Sequence, residues 1–335
     1  PFPLDIADEG FRHPHGLHAE GRLARLVARD VGPRPFARHH EHFSDAQFLA
    51  GDNRPMNLDL VGLWGNPQII RQLDFGHDEA VLLREVATRM LVIFPFETAV
   101  YERAGVPVEF VGHPLVDLAR ASQPRDVFLR EHGVPPDAPI VGLLPGSRPG
   151  EVRRIAPGLA SALPLIRARV PGVHFVVARA PGLSDDLFSR LLAEGVTVVE
   201  QHADDVLAAC DVVITASGTA TVQAALHERP MVVVYRVSPT SYRFGKPFLK
   251  VDTYAMPNLI AGHRVVPELI QDECTPARIA DETVGLLSDP ERHATMREAL
   301  VGVRARLGHP GASARAAAAI LDVAARVSRH AGAGA

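Results

Sequence analysis

The sequence predicts an α/β fold in which helices wrap a parallel sheet, and three observations predict it. From about residue 86 onward, apolar runs of strand length alternate with helical patterns, the order that a parallel sheet with crossover helices requires. Two of those strands, ending at Leu144 and Thr215, run straight into Gly/Ser turns that open helices. A chain of 335 residues, 47% hydrophobic and 22% charged, has enough apolar material for two cores of ordinary size.

Taken in order, the first 85 or so residues differ from the rest. Residues 11–43 are rich in His, Arg, Pro and Gly, and only LDLVGLW at 58–64 has the look of a strand. His13, His15, His18, His39, His40, Glu41 and His42 are spaced like no helix-borne ligand pair and no zinc finger, so they read as solvated histidines and no metal is expected. RMLVIFPFE is then a strand entering a Pro-containing turn, ETAVYERAG a helix ended by Gly105, and VPVEFVGHPLVD a strand running into a polar loop. IVGLL at 140–144 is a buried strand, and a basic helix follows it. HFVVARAP and VTVVE are strands, SDDLFSRLLAEG and HADDVLAAC helices, and 211–237 reads strand, turn, helix, strand. The Ala-rich run ARAAAAILDVAARV closes the chain as a helix on a domain surface.

Composition also excludes several classes. A formal net charge of -4 and a pI near 6.5 give no general footprint for nucleic acid. Cys210 and Cys274 are the only cysteines, too few for a disulfide framework or a cysteine-only zinc site, which points to a reducing, cytoplasmic setting. No run approaches the roughly 20 apolar residues that span a bilayer, so any membrane contact is expected to be peripheral.

The chemistry gathers at the two turns. In LLPGSR, Pro145 and Gly146 break the strand and Ser147 is placed to cap the helix; the first amides of that helix and its dipole favour an anion above Ser147 and Arg148. ASGTAT at 216–221 repeats the geometry, with Thr219 or Thr221 as the expected cap. Open α/β sheets bind ligands at the carboxyl edge of their strands, so two such turns point to a nucleotide or sugar nucleotide. Neither turn is a GxGxxG or GxxxxGK[ST], which disfavours dinucleotides and P-loop chemistry.

IFPFE, VGHPLVD, LLPGSR with Glu151, ASGTAT, PMVVVYRVSP, and PNLIAG followed by VPELIQ, in this order, closely resemble the lipid-A-disaccharide synthase family over about residues 86–325. The resemblance implies a GT-B-like chain of two Rossmann-like domains, with residues 86–120 the remainder of the acceptor side, 121–318 the donor domain and 319–335 a carboxy-terminal helix and tail. It implies inverting transfer of 2,3-diacylglucosamine from UDP to the 6-hydroxyl of 2,3-diacylglucosamine 1-phosphate, without a cofactor, at the inner membrane face, and a possible homodimer.

Residue by residue, the resemblance makes Gly146, Ser147 and Arg148, with Glu151, a diphosphate contact, for which a guanidinium supplies two parallel donors. It makes Ser217, Gly218 and Thr219 the loop holding the donor's phosphates or sugar. Gln223 stands where the family commonly has a ribose-holding glutamate, and a glutamine still accepts one hydrogen bond and donates another. Asn258 is either a donor-pocket residue or an Asn capping its turn. Glu97 and His113 lie in motifs that face the family's cleft, although a lone His is commonly a structural hydrogen-bonding group. Tyr235 and Arg236 either reach the cleft or form a core residue and a surface pair. Phe244, Phe248 and Leu249, interleaved with Arg243, Lys246 and Lys250, suit either an anionic membrane interface or a covered loop.

The resemblance fails in residues 1–85, which lack the family's Gly-rich opening, its acceptor-side aspartate motif and its Trp segment; Trp64 sits in no matching context. That part reads as shortened or replaced. Asp52, Asp59, Asp74 and Asp78 are bases by type, but no motif nominates one, so the catalytic base is unassigned. A UDP-sugar-binding protein without turnover is the alternative that this departure and Gln223 leave open.

Overall fold

The computed structural model describes residues 87–237 and 253–332, with side chains to 326. The expectations that concern the His-rich stretch, Asp52, Asp59, Trp64, Asp74, Asp78 and the Arg243–Lys250 segment lie outside the described residues.

The described chain opens with a small parallel pair, β1 (Met90–Val92) and β2 (Val108–Phe110), joined by α1 (Pro95–Arg103). Short helices α2 (Leu115–Leu118) and α3 (Arg125–Glu131) lead into a six-stranded sheet. Between them the linker is pinned by Asp205, which is buried and accepts from the Ser122 amide at 2.5 Å and from its hydroxyl at 2.6 Å.

The sheet is wholly parallel. Its strands are β3 (Ile140–Leu144), β4 (His174–Arg179), β5 (Thr197–Glu200), β6 (Val212–Ala216), β7 (Met231–Tyr235) and β8 (Glu268–Ile270), in the spatial order β5-β4-β3-β6-β7-β8. The chain winds from β3 outward to β5, then returns to β6 and winds the other way, the doubly wound order of a Rossmann-like domain. The reversal falls between β3 and β6, where Leu144 pairs with Thr215. All five residues of β3 and of β6 are buried, as strands covered on both faces must be.

The crossover helices are α4 (Pro149–Arg167), α5 (Ser189–Ala193), α6 (Ala203–Ala209), α7 (Thr219–Leu226) and α8 (Met256–Ala261), followed by α9 (Pro276–Ser288) and α10 (Pro290–Arg306). The buried face of α4, including Val152, Ile155, Leu159 and Leu163, packs against α9 over the sheet. The helix expected over 184–195 divides into a 3-10 turn at Asp185–Phe188 and α5.

The last helix, α11 (Ala312–Gly332), begins earlier than its Ala-rich run and belongs to the small β1–β2 body. The Arg315 guanidinium Nε donates to the Val111 carbonyl at 2.9 Å, the Gly311 amide donates to the Asp117 carboxylate at 2.8 Å, and Arg89 bridges Glu109 and Asp322. The carboxyl-terminal segment thus crosses back and ties the two bodies together.

Candidate functional site

The two turns lie side by side at the carboxyl edge, on the adjacent strands where the winding reverses. After β3, Pro145 is buried while Ser147 and Arg148 are exposed, so the turn rises out of the sheet edge. Arg148, and not Ser147, is the residue that caps α4: it is extended (φ -109°, ψ 140°), and the Glu151 and Val152 amides donate to its carbonyl. The cause is Pro149, which starts the helix with its fixed φ and forces the residue before it out of helical geometry. After β6, the cap is Gly218, at φ 146°, and neither Thr219 nor Thr221. Thr219 is already helical, and the Thr221 hydroxyl donates to the Gly218 carbonyl at 2.7 Å. With glycine and a pre-proline residue at the caps, no side-chain oxygen competes for the leading amides. Among the described residues, the N–H groups of Gly146, Ser147 and Arg148 on one turn and of Gly218 and Thr219 on the other meet no protein acceptor. Two sets of unpaired donors with two positive helix ends make one anion-attracting edge.

Gly146 is required where it stands. Its φ is +120°, and a Cβ there would lie 2.7 Å from Glu151 Oε2 and 2.9 Å from Glu151 Cβ. Glu151 folds back over the turn, and its Oε1 lies 3.5 Å from the Arg148 guanidinium.

A buried polar network supports the second turn. The Ser217 amide donates to the Val234 carbonyl at 3.1 Å, and its hydroxyl donates to the Tyr254 carbonyl at 3.1 Å. The Tyr254 and Ala255 amides donate to the Glu268 carboxylate at 2.7 and 3.0 Å. Asn258, 1% exposed, donates from Nδ2 to Glu268 and to the Val266 carbonyl, and its Oδ1 accepts from the Val265 and Val266 amides at 2.6 and 2.8 Å. Asn258 is the third residue of α8 and not its cap, which is Ala255, and every polar atom of its side chain is spent inside the fold, on Glu268 and on the 265–266 backbone that follows the helix. Gln271 does the same at the exit of β7, accepting from the Val237 amide at 2.9 Å and donating to its carbonyl at 3.3 Å, from a backbone with φ 50°.

Gln223 lies half-buried on α7, behind Gly218. Tyr235 ends β7 and Arg236 follows it, both half-buried; burial pushes the Cys274 thiol pKa up, and the Arg236 charge offsets part of that rise. Glu97 and His113 are engaged in the β1–β2 body. The Phe94 amide donates to Glu97 at 3.0 Å, and burial raises the Glu97 pKa despite that bond. His113 is 1% exposed, its ring centroid 4.9 Å from that of Phe94, and burial pushes its pKa down to about 4. The Leu115 amide donates to His113 Nδ1 at 3.1 Å, which leaves the ring proton on Nε2. The helix α1, which carries Glu97, packs on α8, and α2, which follows His113, packs on α7.

Sequence reasoning missed Glu268 and Gln271. One signal was present, an acidic residue inside the apolar run VVPELI, where a buried charge demands partners.

A doubly wound sheet with two donor-lined turns at its switch point defines the class, an α/β protein with a Rossmann-like domain. The particular family follows from the sequence: residues 75–322 match the family model described as Lipid-A-disaccharide synthetase, and the chain belongs to that family. Its α/β character, with helices around a parallel sheet, is the one predicted. Among curated relatives, the lipid-A-disaccharide synthases of Geobacter metallireducens and Geobacter sulfurreducens are each 44% identical, over 72% and 70% of this chain and 64% and 62% of their own lengths. That of Myxococcus xanthus is 41% identical over 72% of this chain and 64% of its own length. The chain therefore spans somewhat under two thirds of these relatives.

Proposed function

We propose that the protein is a UDP-sugar-dependent hexosyltransferase of lipid A synthesis, transferring 2,3-diacylglucosamine from UDP to the 6-hydroxyl of 2,3-diacylglucosamine 1-phosphate with inversion. The observation that carries this reading is the pair of donor-lined turns at the switch point, in a chain of this family. Gly146, Ser147 and Arg148 hold the diphosphate, with Glu151 folded over their turn, and Ser217, Gly218 and Thr219 hold the phosphates or sugar from the other side. Gln223 takes the ribose hydroxyls. Tyr235 and Arg236 line the donor side, Asn258 keeps its turn in place, and Glu97 and His113 back the acceptor side.

Inverting displacement makes the glucosamine anomeric carbon electron-poor while negative charge grows on the departing UDP β-phosphate. Unpaired amides, two helix ends and the Arg148 guanidinium meet that charge where it develops, the kind of preorganised stabilisation that lowers a barrier most. The acceptor hydroxyl gives its proton to a base within about 2.6–3.2 Å. The four aspartates nominated by type lie outside the described residues, and the base stays unassigned. Acylated substrates place the enzyme at a membrane surface, and among the described residues no helix is long and apolar enough to cross one. A homodimer belongs to the same reading.

The test is turnover: the purified chain with both acylated substrates should release disaccharide phosphate and UDP in equal amounts, and Arg148→Ala should weaken UDP binding by about tenfold, the loss of one charge-assisted contact. UDP binding without product would make the chain a donor-binding protein. Undiminished UDP affinity in Arg148→Ala would remove the diphosphate assignment.

A further inference from the structure

A carboxylate stands where the proposed site receives an anion. Glu151 is the third residue of α4, and helical side chains lean toward the helix amino terminus, so its carboxylate is carried up to the turn. There Oε2 lies against the Cα face of Gly146, the face that only a glycine leaves open, and Oε1 is 3.5 Å from the Arg148 guanidinium. A glutamate at this helix position ordinarily reaches back to the cap residue's own amide, as Glu97 does to Phe94 in α1. Among the described residues Glu151 makes no such bond, and its recorded polar partner is Arg148, the same group that the proposed site offers to the diphosphate.

We infer that the Glu151 carboxylate occupies the phosphate cradle of the free protein and must leave it when the donor's diphosphate enters, so that this side chain sets donor affinity. The inference rests on the reading of the Gly146–Arg148 turn as the diphosphate contact. Two anions cannot share a cradle a few ångströms across, since their repulsion is strongest where water is displaced. The exchange is open to Glu151 because its hold is loose: 3.5 Å exceeds the roughly 2.7–2.9 Å of a strong charge-assisted bond, and both side chains are partly exposed, Arg148 at 55% and Glu151 at 24%. A diphosphate brings a bidentate partner for the guanidinium and acceptors for the unpaired amides, none of which the carboxylate satisfies.

The experiment is a calorimetric titration of the full chain and of Glu151→Gln, Glu151→Ala and Arg148→Ala with UDP, and with uridine, which has no phosphate to enter the cradle. Circular dichroism establishes that each variant is folded. The expected result is UDP binding tightened about 5-fold in Glu151→Gln and Glu151→Ala, with uridine binding unchanged, the size of effect that removal of one partly screened like charge brings. If both Glu151 variants bind UDP as the wild type does, or more weakly, while Arg148→Ala loses affinity, the inference is overturned and the site reading stands. If uridine tightens in parallel with UDP, the effect lies outside the cradle and the inference is likewise overturned. If Arg148→Ala binds UDP unchanged, the site reading fails and takes the inference with it.

Discussion

Asn258→Ala separates a residue that holds the fold from one that holds the donor. The amide group of Asn258 makes four hydrogen bonds, two accepted by Oδ1 and two donated by Nδ2. Val265 is partly exposed, so water can serve its amide once Asn258 is gone. Val266 is 1% exposed, and its amide and carbonyl have no such recourse, whereas the Glu268 carboxylate keeps the Tyr254 and Ala255 amides. At about 1–3 kcal/mol for each buried group left unmatched, the two together cost about 4 kcal/mol, a large part of the stability of an ordinary domain. Urea denaturation should show this as a lowered midpoint with an unchanged slope. UDP titration below the transition should show folded Asn258→Ala losing affinity only as far as the Tyr254–Ser217 linkage loosens. Asn258→Asp should be worse than alanine at neutral pH, because it sets a second carboxylate against Glu268 where Nδ2 now sits at 2.5 Å. A stability loss below about 1 kcal/mol, with a large drop in UDP affinity, would refute the reasoning and make Asn258 a donor contact.

Two further outcomes follow from buried or strained groups. His113, held near pKa 4 by burial, stays neutral in the native state while the unfolded chain takes up a proton below about 6.5. Its contribution is therefore present at pH 7 and falls away as the pH drops from about 6.5 toward 4. Between pH 7 and 5 the native protein should lose about 2 kcal/mol that His113→Asn does not lose, read from urea midpoints at each pH; parallel curves for the two proteins would contradict this. Gly146→Ala should cost about 2 kcal/mol, since it sets an alanine at φ +120° and drives its Cβ into Glu151, and UDP affinity should fall with it. A thermal midpoint equal to the wild type's would show that the turn tolerates a side chain.

The strands and both turns were legible because their signals are local. Ile140–Leu144 matches its apolar run at both ends, and β4 to β7 fall on the other apolar runs, whereas β8 was not read as a strand. The caps were misplaced at both turns, by one residue at the first and by one or three at the second, and each error has a local cause. Pro149 moves the cap to Arg148, and Gly218 adopts a φ that a serine or threonine rarely does. The supporting network was not legible. Glu268 meets Tyr254, Ala255 and Asn258 across 10 to 14 residues of chain, and no periodicity encodes which buried carboxylate will receive which amide. The return of α11 to the β1–β2 body was equally hidden, since Arg315 finds its acceptor at Val111, 204 residues away.

By itself the sequence determined the α/β class, the strand-to-helix turns and the family, because each is written in contiguous residues whose spacing and turn chemistry act over a few positions. Only the tertiary structure decided that β3 and β6 lie side by side, that Asn258 serves Glu268, and that Glu151 leans into the turn facing Arg148. Those outcomes depend on which distant groups meet when the core closes. Burial then makes every meeting matter, since a buried polar atom must find its partner within the fold.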